Sequence, residues 1–240
     1  MFKNRSLTED KTMRFNILVL FALLLVLIPA FSQNPKGKPF KGKIVYHISY
    51  DKNDLGDEVT GMLPKLMSVY ISEDKIKTDL ATELGTQSAI YDLTLKSKTA
   101  LMDLMGSKYA IKDSWETIQA DLEKKPKAEV RITDETKEIA GYSCRKVIVA
   151  AKEADDAASV ESFAWFTEEL VVNPEINFSN ALLKDVKGVL MEYDMEAGNG
   201  LKMKFAAFSV EKMKVSGKDF ELPDGYTMVT REELMQIFNK

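Results

Sequence analysis

The sequence is poor in the residues that build most active sites. Its 240 residues include one cysteine, Cys144, and one histidine, His47. A single cysteine excludes an intramolecular disulfide, so in an oxidising compartment stability has to come from packing. Cys144 lies in an apolar, β-branched stretch running to Ala151 and reads as a small, buried, inert strand residue. Arg145 is its neighbour in sequence but projects to the opposite face of a strand. One histidine cannot build a two-histidine metal site, and a serine triad would have to centre on His47. No Gly-x-Ser-x-Gly elbow offers the nucleophile. There is no phosphate-cradling Gly-rich loop and no dinucleotide fingerprint. His47 therefore reads as a neutral strand residue, and no catalytic residue, metal or cofactor is implied. Basic tracts are missing too. With 33 Lys and Arg against 37 Asp and Glu, the net charge is −4, a poor match for nucleic acid or an anionic lipid surface.

Two acidic segments fall short of cation sites. Asp51-Lys52-Asn53-Asp54-Leu55-Gly56 begins like a calcium loop, but its fifth position is Leu55 and its twelfth is Met62, where oxygen ligands are needed. Glu153, Asp155 and Asp156 read as a charged hairpin tip.

What is present begins with an address. Lys3, Arg5, Lys11 and Arg14 precede an uncharged run from Phe15 to Ile28, closed by Pro29. Ala30 and Ser32 are small residues at the −3 and −1 positions of a cut between Ser32 and Gln33. Residues 1–32 thus read as a secretory signal, the apolar run being short of the roughly 20 residues a spanning helix needs. Either Met1 or Met13 serves as the start. Such a signal implies export. Residues 33–41 read as a Pro/Gly/Lys linker. Residues 42–240, roughly 200 in all, suit one domain with a real core.

That domain reads as strands. Along Lys43–Tyr50, Ile44, Tyr46, Ile48 and Tyr50 share one face while Val45, His47 and Ser49 share the other. Hairpins are expected at Leu66–Ile71 with Lys75–Leu80, and at Ala89–Leu95 with Thr99–Leu104. Lys108–Lys112, Glu129–Thr133, Cys144–Ala150, Val160–Thr167, Gly188–Glu196 and Leu201–Val215 are further strands. Gly141 supplies the positive φ for the turn before Tyr142, and Asn199-Gly200 marks another turn. Ser114 caps a short helix over Ser114–Lys124. Thr230 and Glu233 form a capping box before a last helix with a Leu234, Ile237 and Phe238 stripe. Asn180–Val186 reads as a helical turn. Many short strands joined by turns predict an antiparallel sheet that curls on itself, with the few helices covering one side. Met62, Met67, Met102, Met105, Met191, Met195, Met203 and Met213 lie in or beside strands, where methionine either fills gaps in a core or lines an adaptable cavity.

Four stretches carry a family resemblance: Gly42-Lys43-Ile44-Val45-Tyr46, Thr136 to Lys146, Gly188-Val189-Leu190-Met191-Glu192-Tyr193, and Phe220-Glu221-Leu222-Pro223-Asp224-Gly225-Tyr226. They resemble an uncharacterised exported bacterial domain-of-unknown-function group related to the GLPGLI family. Asp185-Val186-Lys187 stands where the GLPGLI signature opens on Gly-Leu-Pro, and the first group is the better match. The resemblance implies the periplasm or outer membrane of a Gram-negative cell, and a mainly β, α+β fold like that of the periplasmic lipoprotein carriers (LolA/LolB-like). In such a fold a curved, unclosed antiparallel sheet, a half-barrel, has a few short helices over its concave side and an apolar cavity beneath them.

On that expectation Tyr46, Ile48, Met191, Tyr193, Met195, Met203 and Phe205 line a hydrophobic ligand site, unbranched Met and amphipathic Tyr suiting a pocket for flexible chains. The expected function is non-enzymatic binding of a lipid, acyl chain or lipoprotein in the cell envelope. The alternative is a structural or protein-interaction envelope protein with a filled core and no small ligand. Lipid, lipoprotein or an envelope protein are the partners these readings imply.

Overall fold

Twelve strands form one open sheet in the computed structural model, which describes residues 37–51, 61–82, 85–104, 106–125, 128–151, 160–196 and 201–238. The signal with its Ser32/Gln33 cut, most of the calcium-like loop, Met105, the Glu153, Asp155 and Asp156 cluster and the Asn199-Gly200 turn lie outside the described residues. In chain order the strands are β1 (Gly42–Tyr50), β2 (Leu66–Ile71), β3 (Lys75–Thr82), β4 (Gly85–Asp92), β5 (Ser97–Leu104) and β6 (Ser107–Asp113). Helix α1 (Trp115–Glu123) follows, then β7 (Ala128–Ile139), β8 (Tyr142–Ala151), β9 (Val160–Thr167), β10 (Val189–Glu196) and β11 (Lys202–Lys212). A 3-10 turn (Gly217–Phe220), β12 (Thr227–Met228) and helix α2 (Arg231–Phe238) complete the fold.

The spatial order is β12-β6-β5-β4-β3-β2-β1-β11-β10-β9-β8-β7. Every pairing is antiparallel except β12 on β6, so the sheet is mixed, curved and unclosed. With two short helices among the described residues, the fold is mostly β; the α+β balance expected from the sequence is not found. None of the described helices is long and apolar enough to cross a membrane.

Alternation on β1 sets the inner face. Ile44, Tyr46 and Ile48 are buried, while His47 and Ser49 are exposed. Cross-strand partners share a face, which extends this row outwards. Tyr46 sits between Met67 and Ala207, and Ile44 is opposite Val69. The largest cluster collects β1, β2, β8, β10 and β11 residues around Met191, which is fully buried. Each such side chain contributes about 1.5–3 kcal/mol by leaving water.

Its cover is shared between a helix and an irregular segment. Ser114 caps α1 by accepting from the Thr117 amide, which aims Ile118 inward with Trp115 and Leu122 beside it. From residues 168–188 come Leu170 and Phe178. That segment has no helix; the stretch 180–186 is turns held by asparagines. Asn177 donates to the carbonyls of Val186 and Gly188 at 2.7 and 3.0 Å, and Asn180 accepts from the amides of Leu182 and Leu183. Gly188 is required where this segment enters β10: a Cβ there would lie 2.6 Å from the Thr167 carbonyl oxygen.

The outer face carries two smaller clusters. Leu183 and Val186 cover Val147, Val149, Ala164, Phe166 and Leu190. Phe220 covers Ile90, Leu101 and Ala110. Near the start of the described chain, within the linker expected over 33–41, Phe40 is buried and its amide donates to the Val171 carbonyl at 2.7 Å. The capping box of α2 forms as expected, Thr230 and Glu233 bonding each other's amides at 2.8 and 3.1 Å. On its apolar stripe Ile237 is exposed and Leu234 partly buried.

Candidate functional site

The seven apolar residues singled out from the sequence are brought onto neighbouring strands. β10 and β11 pair Tyr193 with Phe205 and Met195 with Met203. β11 and β1 pair Phe205 with Ile48 and Met203 with Tyr50. Two rows result: Ile48, Phe205 and Tyr193 in one, Tyr50, Met203 and Met195 in the next.

The rows meet different surroundings. Tyr193 stacks on Phe205 with ring centroids 5.1 Å apart, and meets Tyr46 edge-on at 6.2 Å. The Tyr46 hydroxyl donates to the Leu190 carbonyl at 2.9 Å, as a buried phenol must find a partner. Burial pushes the Tyr46 phenol well above its ordinary value, with Tyr193 and Cys144 adding to it. Burial does the same to Tyr193, helped by Tyr91. Both phenols stay neutral. Tyr46, Ile48, Met191 and Phe205 are all buried, whereas Met195, in the second row, is 43% exposed.

Two clefts open on the surface near the β2–β3 turn, and none of the seven residues lines either. One, of about 190 Å³, lies among Phe40, Val171, Val172 and Pro174. The other, of about 260 Å³, lies among Lys41, Glu73, Lys75, Val215 and Phe220. They adjoin at Ser72 and Glu73.

A charged network not foreseen from the sequence links β7, β10 and β11. Glu192 receives Lys137 at 2.8 Å and Lys204 at 2.9 Å, and the Lys137 ammonium lies 4.4 Å from the Trp165 ring centroid. Burial raises the Glu192 carboxyl, but the lysine hydrogen bonds, Lys137 first, outweigh it and hold the group below its ordinary range. The bulge between Leu190 and Glu192 places Glu192 opposite both Trp165 and Ala206. A period-two reading cannot foresee such an irregularity. The available signal was charge order, Glu192 and Asp194 on one strand against Lys202 and Lys204 on the next.

Cys144 is buried, with its thiol pushed up to about 11 by burial first. His47 stacks on Phe208 at 4.1 Å on the outer face. Among the described residues no group of three His, Cys, Asp or Glu is placed to hold a metal ion.

No family model matches the sequence, and no curated protein matches it. Among solved structures the chain is similar to PNGF-II, crystallised in space group C2, with 17% identity and a TM-score of 0.49. The match covers 83% of this chain and 32% of that one, so the chain spans about a third of the length of that protein.

Proposed function

We propose that this is an exported cell-envelope protein of the structural or protein-interaction kind, non-enzymatic, with a filled core and no small ligand inside its sheet. One observation carries the reading. The side chains expected to wall a cavity are packed against each other: Tyr193 on Phe205, Tyr46 against Tyr193, and the Tyr46 hydroxyl closed onto the Leu190 carbonyl. Ligand pockets are largely pre-formed spaces of roughly 300–1,000 Å³. An acyl chain here would first have to separate aromatic rings already in contact. Export and kinship with the exported group related to GLPGLI, with its LolA/LolB-like fold, rest on the signal-like residues 1–32 and the four quoted stretches. A curved, open sheet is compatible with that kinship.

A hydrophobic ligand is the second reading, favoured by a different observation. The row Tyr50, Met203 and Met195 continues the apolar wall to an exposed methionine, and methionine adapts to varied apolar guests. Thermal unfolding of the purified protein with a panel of fatty acids and phospholipids separates the two. A ligand bound only by the folded state raises the midpoint as RT ln(1 + [L]/Kd). The filled-core reading expects no saturable rise, and no lipid in native mass spectra of protein taken from its own envelope fraction. A saturable rise that Met203→Lys abolishes, in a variant that still folds, would overturn it in favour of the second.

A further inference from the structure

The two ends of the sheet differ. At one end β12 covers β6 at Tyr109 and Ala110. At the other, β7 runs for twelve residues and pairs on one side alone among the described residues. A strand edge of this length presents unpaired amides and carbonyls to any second strand.

Which groups point outward follows from the β7–β8 hairpin. Ala140 and Gly141 have φ of 51° and 82°, the geometry of a two-residue turn closed by a hydrogen-bonded Ile139–Tyr142 pair. Alternation along β8 then turns Cys144, Ile148 and Ala150 toward β7. Their partners Lys137, Arg131 and Glu129 face inward. Val130 and Thr136 therefore direct their backbone groups to the free side. The bulge between Ile132 and Thr136 adds two residues to β7; an even number keeps the same parity on both sides of it.

Outward groups of two copies can meet in antiparallel fashion only in registers that pair even positions with even ones. In the register centred on Thr133, Val130 faces Thr136 of the second copy. Arg131 then faces the second copy's Glu135, and Glu129 faces its Lys137, each pair occurring twice by symmetry. The neighbouring registers are repulsive. A shift of two residues one way sets Glu129 against Glu135, and the other way sets Arg131 against Lys137. Bulges and edge charges usually deter strand pairing; here their order makes one self-pairing attractive and its neighbours unfavourable. Glu135 and Lys137 already hold Lys146 and Glu192 on their own sheet, yet their side chains are 59% and 36% exposed and can take a second opposite charge.

We propose that β7 is the docking edge for a second copy of this chain, giving a two-fold dimer whose sheets join antiparallel about Thr133. This does not depend on whether the interior takes a ligand. The test is sedimentation velocity and native mass spectrometry of the purified protein over a rising concentration series at low salt. A species of twice the monomer mass should grow with concentration. Arg131→Glu places like charges in two symmetric pairs and should weaken association at least about tenfold. Adding Glu135→Arg to that variant should restore it, since both pairs become opposite again. Thr136→Pro should abolish the dimer while leaving the thermal midpoint of the monomer close to the original, because Thr136 is exposed and the change removes an outward amide and none of the β7–β8 bonds. A single monomer mass throughout the series overturns the proposal, as does a dimer indifferent to Arg131→Glu or a charge-swapped double variant that stays monomeric.

Discussion

The two faces of the central strands β1 and β11 carry similar residue types in opposite circumstances. On the inner face Phe205 is 4% exposed, stacked on Tyr193 and set opposite Ile48. On the outer face Phe208 is 48% exposed, stacked on His47, with Leu66 exposed opposite that histidine. Both faces hold aromatic pairs, so ring contact alone does not make a core. Cover does: α1 and residues 168–180 lie over the inner face, while the outer clusters of Leu183 and of Phe220 sit to either side of these strands.

The largest effect that can break this contrast is expected from Phe205→Ala. Removing a buried ring from a filled interior costs about 3–5 kcal/mol, read as a fall in the urea midpoint at unchanged slope. A loss under about 1 kcal/mol would mean that the face is plastic and refills, which would favour the ligand reading. Tyr46→Phe comes next. It leaves the shape intact and takes the hydroxyl from the Leu190 carbonyl, at about 1–3 kcal/mol if that carbonyl stays dry.

Cys144 sharpens the comparison through pH. Its thiol ordinarily ionises near 9.0 and is held up to about 11 in the fold. Between those values the unfolded chain loses a proton that the folded chain keeps, so stability is unaffected below about pH 9 and declines as pH rises toward 11. Cys144→Ala should remove that part of the decline. In the native protein, thiol labelling at pH 8 should be slow, and it should become fast in denaturant. The smallest effect is expected from Phe208→Ala, below about 1 kcal/mol, since half of the ring already meets water. Equal losses for Phe205→Ala and Phe208→Ala would erase the distinction between the faces.

Much of the inner face was legible as alternation, because a half-buried strand must repeat every two residues. Ile44, Tyr46 and Ile48 could be assigned that way, and the burial of Cys144 followed from its apolar neighbours. Local capping was legible for the same kind of reason: Ser114, and Thr230 with Glu233, act within one turn of their helices. What could not be read depends on distant or irregular contacts. The bulge at Met191 interrupts the period of β10, so the place of Glu192 beside Lys137 and Trp165 was hidden. The segment 168–188 is shaped by Asn177 and Asn180 bonding backbone groups, and looks in sequence like any polar turn. Whether Met191 and Phe205 touch a guest or each other is decided by that cover, which no periodicity encodes.

The seam between β1 and β11 also has a consequence in time. Among the described residues, the first strand of the sheet finds one of its two neighbours only in the penultimate strand. A chain emerging amino terminus first can build the β2–β6 meander and the β7–β10 meander from near neighbours, but it must leave one side of β1 unpaired until Lys202–Lys212 arrives. Pairings so distant in sequence slow folding, and an incomplete sheet exposes strand edges that invite aggregation. Refolding should therefore end on the joining of two preformed halves, with the β1 amides that face β11 among the last to gain protection from hydrogen exchange.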